Sequence, residues 1–204
     1  MPTTVNQILE SEGLALKGVV KWKNKLNGNS SGVYIVSLSS NPSQNLGVLP
    51  CAPLSLEKIK EWLDKVNTFE LDKKIKPSAE AVAFHLSEFW LPDENILYIG
   101  KTDRKDLSIG KRLEEFYRTS LGDSSPHRGG HWLKVLSNLN QLFVYYAECS
   151  NAKAHETEML ELFVKNVSSP TLETLRDPQH PYPFANLVIT EPKAHGISNA
   201  TYGK

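Results

Sequence analysis

The sequence predicts a mixed α/β domain with a small sheet, on three observations. Three short runs of β-branched and aromatic residues alternate with longer segments whose apolar residues recur at helical spacing. The chain has 204 residues, 40% of them hydrophobic and 23% charged, which is enough apolar material for one buried core. Because no internal repeat or low-complexity stretch occurs, we expect a single domain over residues 1–204.

The predicted strands and helices follow from local patterns. The strands are residues 32–38, 96–99 and 142–147, each bounded by residues typical of turns. Ser55 and Ser78 precede the first two predicted helices at positions suited to N-caps. The apolar faces of the four helices contain Leu56, Ile59, Trp62, Leu63 and Val66; Val82, Leu86 and Phe89; Ile109, Leu113, Phe116 and Tyr117; and Met159, Leu160, Phe163 and Val167. The mostly polar segment 190–204 predicts a surface tail.

Composition excludes several classes of protein. No apolar run approaches the roughly 20 residues that span a bilayer, and the N-terminus lacks the pattern of a signal peptide, so we expect no membrane association. With only Cys51 and Cys149, a disulfide framework and a four-thiolate zinc site are excluded, and a cytoplasmic location is favoured. The 23 basic and 23 acidic residues balance, although residues 100–135 hold eight Lys or Arg against five Asp or Glu.

Five short motifs follow one another in the chain. Tyr34 ends a Gly-Val-Tyr strand motif, and Tyr98 begins a Tyr-Ile-Gly strand motif. Arg112 then lies near the start of a helix, within Lys-Arg-Leu. Glu156 follows Ala152 by four residues and precedes apolar residues at the third and fourth positions. Finally, Asn186 ends a Pro-Phe-Ala-Asn motif.

This ordered set of motifs resembles the GIY-YIG nuclease family. The resemblance covers most of residues 32–187 and implies an α+β fold, in which helices flank a small central antiparallel sheet of about three strands. The core would comprise residues 30–40 and 95–190, with an N-terminal extension over 1–29 and a polar tail over 190–204. A helical insertion at 41–94 would separate the two tyrosine strands, as a structural elaboration, a dimer contact or a DNA-reading element.

The resemblance implies a metal-dependent endonuclease that hydrolyses DNA phosphodiester bonds. Glu156 would hold one divalent ion, Mg²⁺ or Mn²⁺, Tyr34 would be the general base, and Arg112 would clamp a phosphate oxygen. Tyr98 and Asn186 would orient the phosphate, the water or neighbouring side chains. Since an isolated tyrosine has a pKa near 10, we expect Lys101 and Arg112 to lower the pKa of Tyr34.

The nucleic-acid contacts are predicted from basic residues close to these motifs. They are Lys101, Lys111, His127, Arg128 and His131. We expect DNA as the partner, although the sequence does not distinguish DNA from RNA, and a restriction-type enzyme that cuts both strands favours a homodimer.

Several of these motif residues also have alternative interpretations. Glu158 likewise stands four residues after an alanine, but its helical neighbours are polar, which favours Glu156. Arg112 by itself is a typical solvated helix cation with Glu115 as an i+3 partner. Phe116 occupies a position where many family members have histidine or tyrosine, and Tyr117 beside it is a candidate substitute.

The alternative to a nuclease is a GIY-YIG-like module that binds nucleic acid or a protein without cutting. An unrelated enzyme has no support, because the chain contains no nucleophile elbow, P-loop or dinucleotide fingerprint.

Overall fold

Helices and strands alternate along most of the chain. The structure is a computed structural model that describes residues 2–104, 106–123 and 130–199. In chain order its elements are α1 (Val5–Ser11), β1 (Gly18–Lys21), β2 (Gly32–Ser37), α2 (Leu56–Lys65), β3 (Phe69–Leu71), β4 (Lys74–Ile75), α3 (Ala79–Ser87), β5 (Ile96–Thr102), α4 (Ile109–Arg118), β6 (Phe143–Glu148), α5 (Ala152–Asn166), α6 (Ser169–Thr174) and β7 (Ile197–Asn199). Two 3-10 helices, His131–Val135 and Leu139–Gln141, precede β6.

The main sheet is antiparallel and has the strand order β1-β6-β2-β5. Its inner strand β2 pairs with β5 on one side and with β6 on the other. The three predicted strands are confirmed as β2, β5 and β6, with β5 extended to Thr102. Strand β1 was not expected, because it is a short edge strand in which only alternate residues are partly buried. The predicted mixed α/β fold is therefore confirmed, with four strands in this sheet.

Strand β2 is buried on both faces, which divides the core into two layers. Since successive side chains of a strand point to opposite faces, Val33 and Ile35 pack with residues of α1 and α5. Tyr34 and Val36 pack on the other face with residues of α2, α3 and α4. The two tyrosine motifs thus face the layer that contains the inserted helices.

The four predicted helices are α2, α3, α4 and α5, and the N-terminal signals predicted for α2 and α3 act as expected. The side chains of Ser55 and Ser78 accept hydrogen bonds from the third residue of α2 and α3, respectively. Two further helices, α1 and α6, escaped prediction because they have only seven and six residues.

The chain between β2 and β5 folds as part of the domain. It contains α2, α3 and the β3–β4 hairpin, whose strand β3 also pairs with β7 from the far end of the chain. The apolar faces of α2 and α3 enter the same core layer as Tyr34. In the part of the chain that the structure describes, no helix has the length and apolar character to cross a bilayer.

Residues 190–198 lie mostly at the surface, as predicted, but they are anchored to the fold and do not form a free tail. Lys193 and Ile197 are 3% and 4% exposed, and Ile197 begins the strand that extends the small sheet. The polar composition of the segment did not indicate this anchoring, because it depends on backbone pairing and the burial of one apolar residue. Residues 200–204 lie outside the described part of the chain.

Candidate active site

Tyr34 and Tyr98 form a buried pair on adjacent strands. Their ring centroids lie 5.9 Å apart, and their hydroxyl groups hydrogen-bond to each other. Gly100 stands opposite Tyr34 in the β2–β5 register. A Cβ atom at Gly100 would lie 2.8 Å from Tyr34 Oη and 2.6 Å from Tyr98 Cε1, which is too close for any side chain. The glycine of the second strand motif is therefore required by the space that the tyrosine rings occupy.

Arg112 extends from the first half of α4 toward this pair. Ser108 caps the helix, and Gly110 lets its first turn approach the backbone of residues 26–28, where a Cβ would lie 2.7 Å from the Leu26 carbonyl oxygen. Arg112 Nη1 donates to Glu115 Oε2 at 3.0 Å, so the expected i+3 partner is present. Burial raises the pKa of both Tyr34 and Tyr98, and the Arg112 guanidinium partly opposes that rise, so its positive charge lies within electrostatic reach of both rings.

Glu156, on α5, is the glutamate that the structure brings to the tyrosine pair. Burial raises its pKa to about 7, and the charges of Lys101 and Arg112 oppose that shift. Asp103 raises the same pKa further, so a second carboxylate lies in the electrostatic surroundings of Glu156 that the sequence motifs did not indicate. Glu158 is exposed and hydrogen-bonds to Glu12, away from this cluster.

The expected lowering of the Tyr34 pKa is wrong for the protein as it stands. Burial raises the pKa of Tyr34 well above its ordinary value, the neighbouring Tyr98 raises it further, and Arg112 only partly opposes them. Lys101 acts elsewhere, because its Nζ donates to Asp103 Oδ2 at 2.7 Å and its charge acts on Glu156. Tyr34 is consequently a neutral phenol here, with a hydroxyl able to donate and accept hydrogen bonds.

Asn186 supports the second tyrosine strand through the backbone. Its Oδ1 accepts from Ile99 N at 2.9 Å, and its Nδ2 donates to Ile99 O at 2.8 Å. Ala185 N also donates to Leu97 O at 2.9 Å, so this segment runs along the open edge of β5. Asn186 is therefore a positioning residue, because its side-chain amide pairs with both backbone groups of Ile99 on the edge strand beside Tyr98.

Lys193 is a buried residue that sequence reasoning missed. Its Nζ donates to the carbonyl oxygens of Pro183 and Phe184 at 3.3 and 3.2 Å, which holds the segment that leads to Asn186. The same ammonium lies 5.3 Å from the Trp132 ring centroid. Burial lowers the pKa of Lys193 to about 7. No sequence signal distinguishes this lysine from an exposed one.

The predicted nucleic-acid contacts divide into three groups. Lys111 is exposed on α4 and Lys101 is partly exposed beside Asp103. His131 is 1% exposed inside a 3-10 helix, so its predicted role as a surface phosphate contact is wrong. The turn at Gly130, with φ of 70°, directs the chain inward there. His127 and Arg128 lie outside the described residues.

Phe116 and Tyr117 are the two residues of α4 considered for the position where the resembled family has histidine or tyrosine, and they have different surroundings. The Phe116 ring is buried, with its centroid 5.7 Å from that of Tyr98. Tyr117 instead packs edge-on against Trp22 at 4.9 Å. Within the described residues, the Tyr117 hydroxyl has no hydrogen-bond partner. The residue that reaches the tyrosine pair is thus Phe116, which brings no polar group.

The donor groups of the site fit a sparsely coordinated divalent cation. Among the described residues, no group of three or more His, Cys, Asp or Glu side chains is arranged to hold a metal ion. Mg²⁺, however, commonly keeps several waters and uses one or two carboxylates together with substrate phosphates. Glu156, with its partly buried carboxyl group, meets that requirement as a single protein ligand.

Comparisons with known proteins identify no relative of this chain. No protein-family model matches the chain, and neither a curated protein nor a solved structure gives a significant match.

Proposed function

We propose that this protein is a metal-dependent endonuclease that hydrolyses DNA phosphodiester bonds. The observation that carries the proposal is the convergence of Tyr34, Tyr98, Arg112 and Glu156 from β2, β5, α4 and α5. Two hydroxyls, a guanidinium and a carboxylate meet the needs of phosphoryl hydrolysis, which are an oriented water, a stabilised phosphate charge and a cation site.

Each residue has a distinct role in the proposed reaction. The planar guanidinium of Arg112 has five N–H donors, so it can bind a phosphate oxygen while it retains its bond to Glu115. Glu156 would hold Mg²⁺ or Mn²⁺, and the bound ion supplies Lewis-acid stabilisation of the phosphoryl charge. Tyr34 orients the attacking water through its hydroxyl, and only after its own proton has passed to solvent could the phenolate accept the proton of that water. Tyr98 holds the Tyr34 hydroxyl by their mutual hydrogen bond.

A second candidate is a domain that binds nucleic acid without cutting it. The high pKa of Tyr34 favours this alternative, because a neutral phenol is a weak base. The hydrogen bond between Arg112 and Glu115 favours it as well, since it neutralises part of the charge offered to phosphate.

The deciding experiment compares two neighbouring glutamates of α5. Supercoiled plasmid is incubated with Mg²⁺, with Mn²⁺ or with EDTA, using the wild-type protein, Glu156→Gln and Glu158→Gln. We expect metal-dependent nicking in the wild-type protein and in Glu158→Gln, because Glu158 is exposed and lies outside the cluster. Glu156→Gln should be inactive while it retains the wild-type circular dichroism spectrum. Cleavage by Glu156→Gln would exclude this site, and salt-sensitive DNA binding without cleavage by any form would establish the binding domain.

A further inference from the structure

A lysine-rich turn lies between β1 and β2. No acidic residue occurs between Glu12 and Glu57, whereas this stretch contains four lysines. Three of them fall within residues 21–25, Lys-Trp-Lys-Asn-Lys, which we call the basic turn. Such a one-signed segment is the usual electrostatic signature of a surface that contacts a polyanion.

The basic turn is anchored on the helix that carries Arg112. The buried Trp22 ring lies 5.1 Å from the Phe116 ring and 4.9 Å from the Tyr117 ring. The chain then runs back along α4, where the carbonyl oxygens of Gly28 and Ser30 accept from the backbone N–H groups of residues 110 and 109 at 3.1 and 3.0 Å. The segment therefore passes Arg112, which precedes Phe116 by about one helical turn.

The lysines of the turn project into solvent. Lys21, Lys23 and Lys25 are exposed, and none of the three forms an ion pair with any described residue. Lys23 has a φ of 69°, in the left-handed region, as do Lys73 and Lys76 around the β3–β4 hairpin.

Two further lysines, Lys58 and Lys134, lie close to the basic turn. Burial lowers the pKa of Lys58 and of the buried Lys134, and the charge of Lys23 lowers both further, so the three ammonium groups lie within electrostatic reach of one another. Lys58 Nζ donates to the Leu136 carbonyl oxygen at 2.6 Å and thereby stays near the turn. The acidic groups that face this cluster are Glu57 and Glu61 beside Lys58, and Asp123 beside Lys134.

Protection of an exposed strand edge explains only part of this arrangement. Lysines on edge strands prevent edge-to-edge aggregation, and Lys21 ends the edge strand β1. Lys23 and Lys25 lie beyond the strand, where no backbone ladder needs protection. We infer that the basic turn is a docking surface for the phosphate backbone of duplex DNA, beside the scissile phosphate at Arg112. This inference rests on the proposed function, because it places the same substrate on the same face of α4.

The test removes three charges from this turn and, as a control, three charges from another exposed turn. The variants are Lys21→Gln/Lys23→Gln/Lys25→Gln and Lys73→Gln/Lys74→Gln/Lys76→Gln, the latter around the β3–β4 hairpin, where all three lysines are also exposed. Binding of a fluorescein-labelled 20-base-pair duplex is measured by anisotropy in EDTA over a series of NaCl concentrations. Each phosphate contact contributes about 0.9 to the slope of log K against log salt concentration. We expect the slope to fall by about 2–3 in the basic-turn variant, with at least a tenfold loss of affinity at low salt, and to remain unchanged in the hairpin variant.

The inference and the proposed function fail in distinguishable ways. An unchanged slope in the basic-turn variant, an equal change in both variants, or no binding by the wild-type protein would overturn the docking surface, whatever the plasmid assay shows. A selective loss of slope together with an uncut plasmid in Mg²⁺ would support the docking surface and reject the nuclease. Because all six lysines are exposed, we expect both variants to retain the wild-type thermal unfolding midpoint.

Discussion

Replacing Asn186 tests the claim that its amide holds the second tyrosine strand. In Asn186→Ala the backbone N–H and C=O of Ile99 lose the partners that lie at 2.9 and 2.8 Å. Both groups are enclosed, since Ile99 is 0% exposed and Asn186 is 6% exposed. A buried polar group without a partner costs about 1–3 kcal/mol, so the two together predict a loss of about 2–6 kcal/mol from the free energy of unfolding. That is a large part of the 5–15 kcal/mol typical of a domain of this size.

Asn186→Asp is a sharper version of the same experiment. The carboxyl group can still accept from Ile99 N, but when ionised it turns a second acceptor toward the Ile99 carbonyl oxygen, where the amide had donated. Only the protonated carboxyl group restores the donor, so the pKa of the new side chain should be raised in the folded state. The stability that this group contributes is then complete below the unfolded pKa of about 3.9 and is lost as the pH rises. The free energy of unfolding of Asn186→Asp should therefore be closer to that of the wild-type protein at pH 4 than at pH 7.

Urea unfolding followed by circular dichroism at both pH values measures these losses. The reasoning would be refuted by a loss below about 1 kcal/mol in Asn186→Ala, or by a deficit in Asn186→Asp that does not change with pH. Since Tyr98 is adjacent to Ile99 on β5, a role in positioning also predicts that cleavage at saturating DNA falls in Asn186→Ala while duplex binding in EDTA is unchanged. A direct contact of Asn186 with phosphate would weaken binding instead.

Two other changes test the packing around the site. Gly100→Ala should lower the free energy of unfolding by about 1–3 kcal/mol and slow cleavage, because its Cβ would lie 2.7 Å from Tyr34 Cζ. Urea unfolding should show a smaller loss of stability for Gly18→Ala, because its Cβ would come no closer than 3.0 Å to another residue. Lys193→Met should remove a pH dependence of the free energy of unfolding. The pKa of Lys193 is about 7 in the folded chain and about 10.4 in the unfolded chain, so the folded chain binds fewer protons between these values. Wild-type stability should therefore rise between pH 7 and 10 by up to about 1.4 kcal/mol per pH unit. The free energy of unfolding is measured by urea titration at several pH values in this range. An equal dependence on pH in the wild-type protein and in Lys193→Met would show that the lysine does not titrate as described.

The parts of the fold that could be predicted are those governed by local pattern. Residues 32–38 combine strong β-propensity with turn residues on both sides, and they become β2 with little shift in boundary. Ser55 and Ser78 signal helix starts because an N-cap needs only its own hydroxyl and the N–H three residues later. Glu156 could be preferred to Glu158 because helical periodicity alone decides which residue shares the buried face.

The parts that could not be predicted depend on contacts between distant segments. Strand β7 has three residues and exists because β3 offers it an edge, so nothing in residues 197–199 alone indicates pairing. Lys134 and His131 resemble surface residues in the sequence, yet the 3-10 helix His131–Val135 is packed into the fold and both residues are buried. Lys134 Nζ then donates to the Phe116 carbonyl oxygen at 2.6 Å near the end of that helix, where a cation is favourable. The local excess of positive charge between 100 and 135 is therefore smaller at the surface than in the sequence.

The ionisation of Tyr34 shows why residue types alone do not determine chemistry. The sequence places the cations Lys101 and Arg112 near the tyrosine strands, which predicts a lowered pKa. In the folded chain Tyr98 on β5 and Phe116 on α4 pack around the site and exclude water, so desolvation outweighs the opposing charge of Arg112. Tight packing that fixes the Tyr34 hydroxyl in position also makes its proton harder to remove. The proposed hydrolysis would therefore require that the electrostatic surroundings of Tyr34 change when DNA and a cation bind, so that its pKa falls.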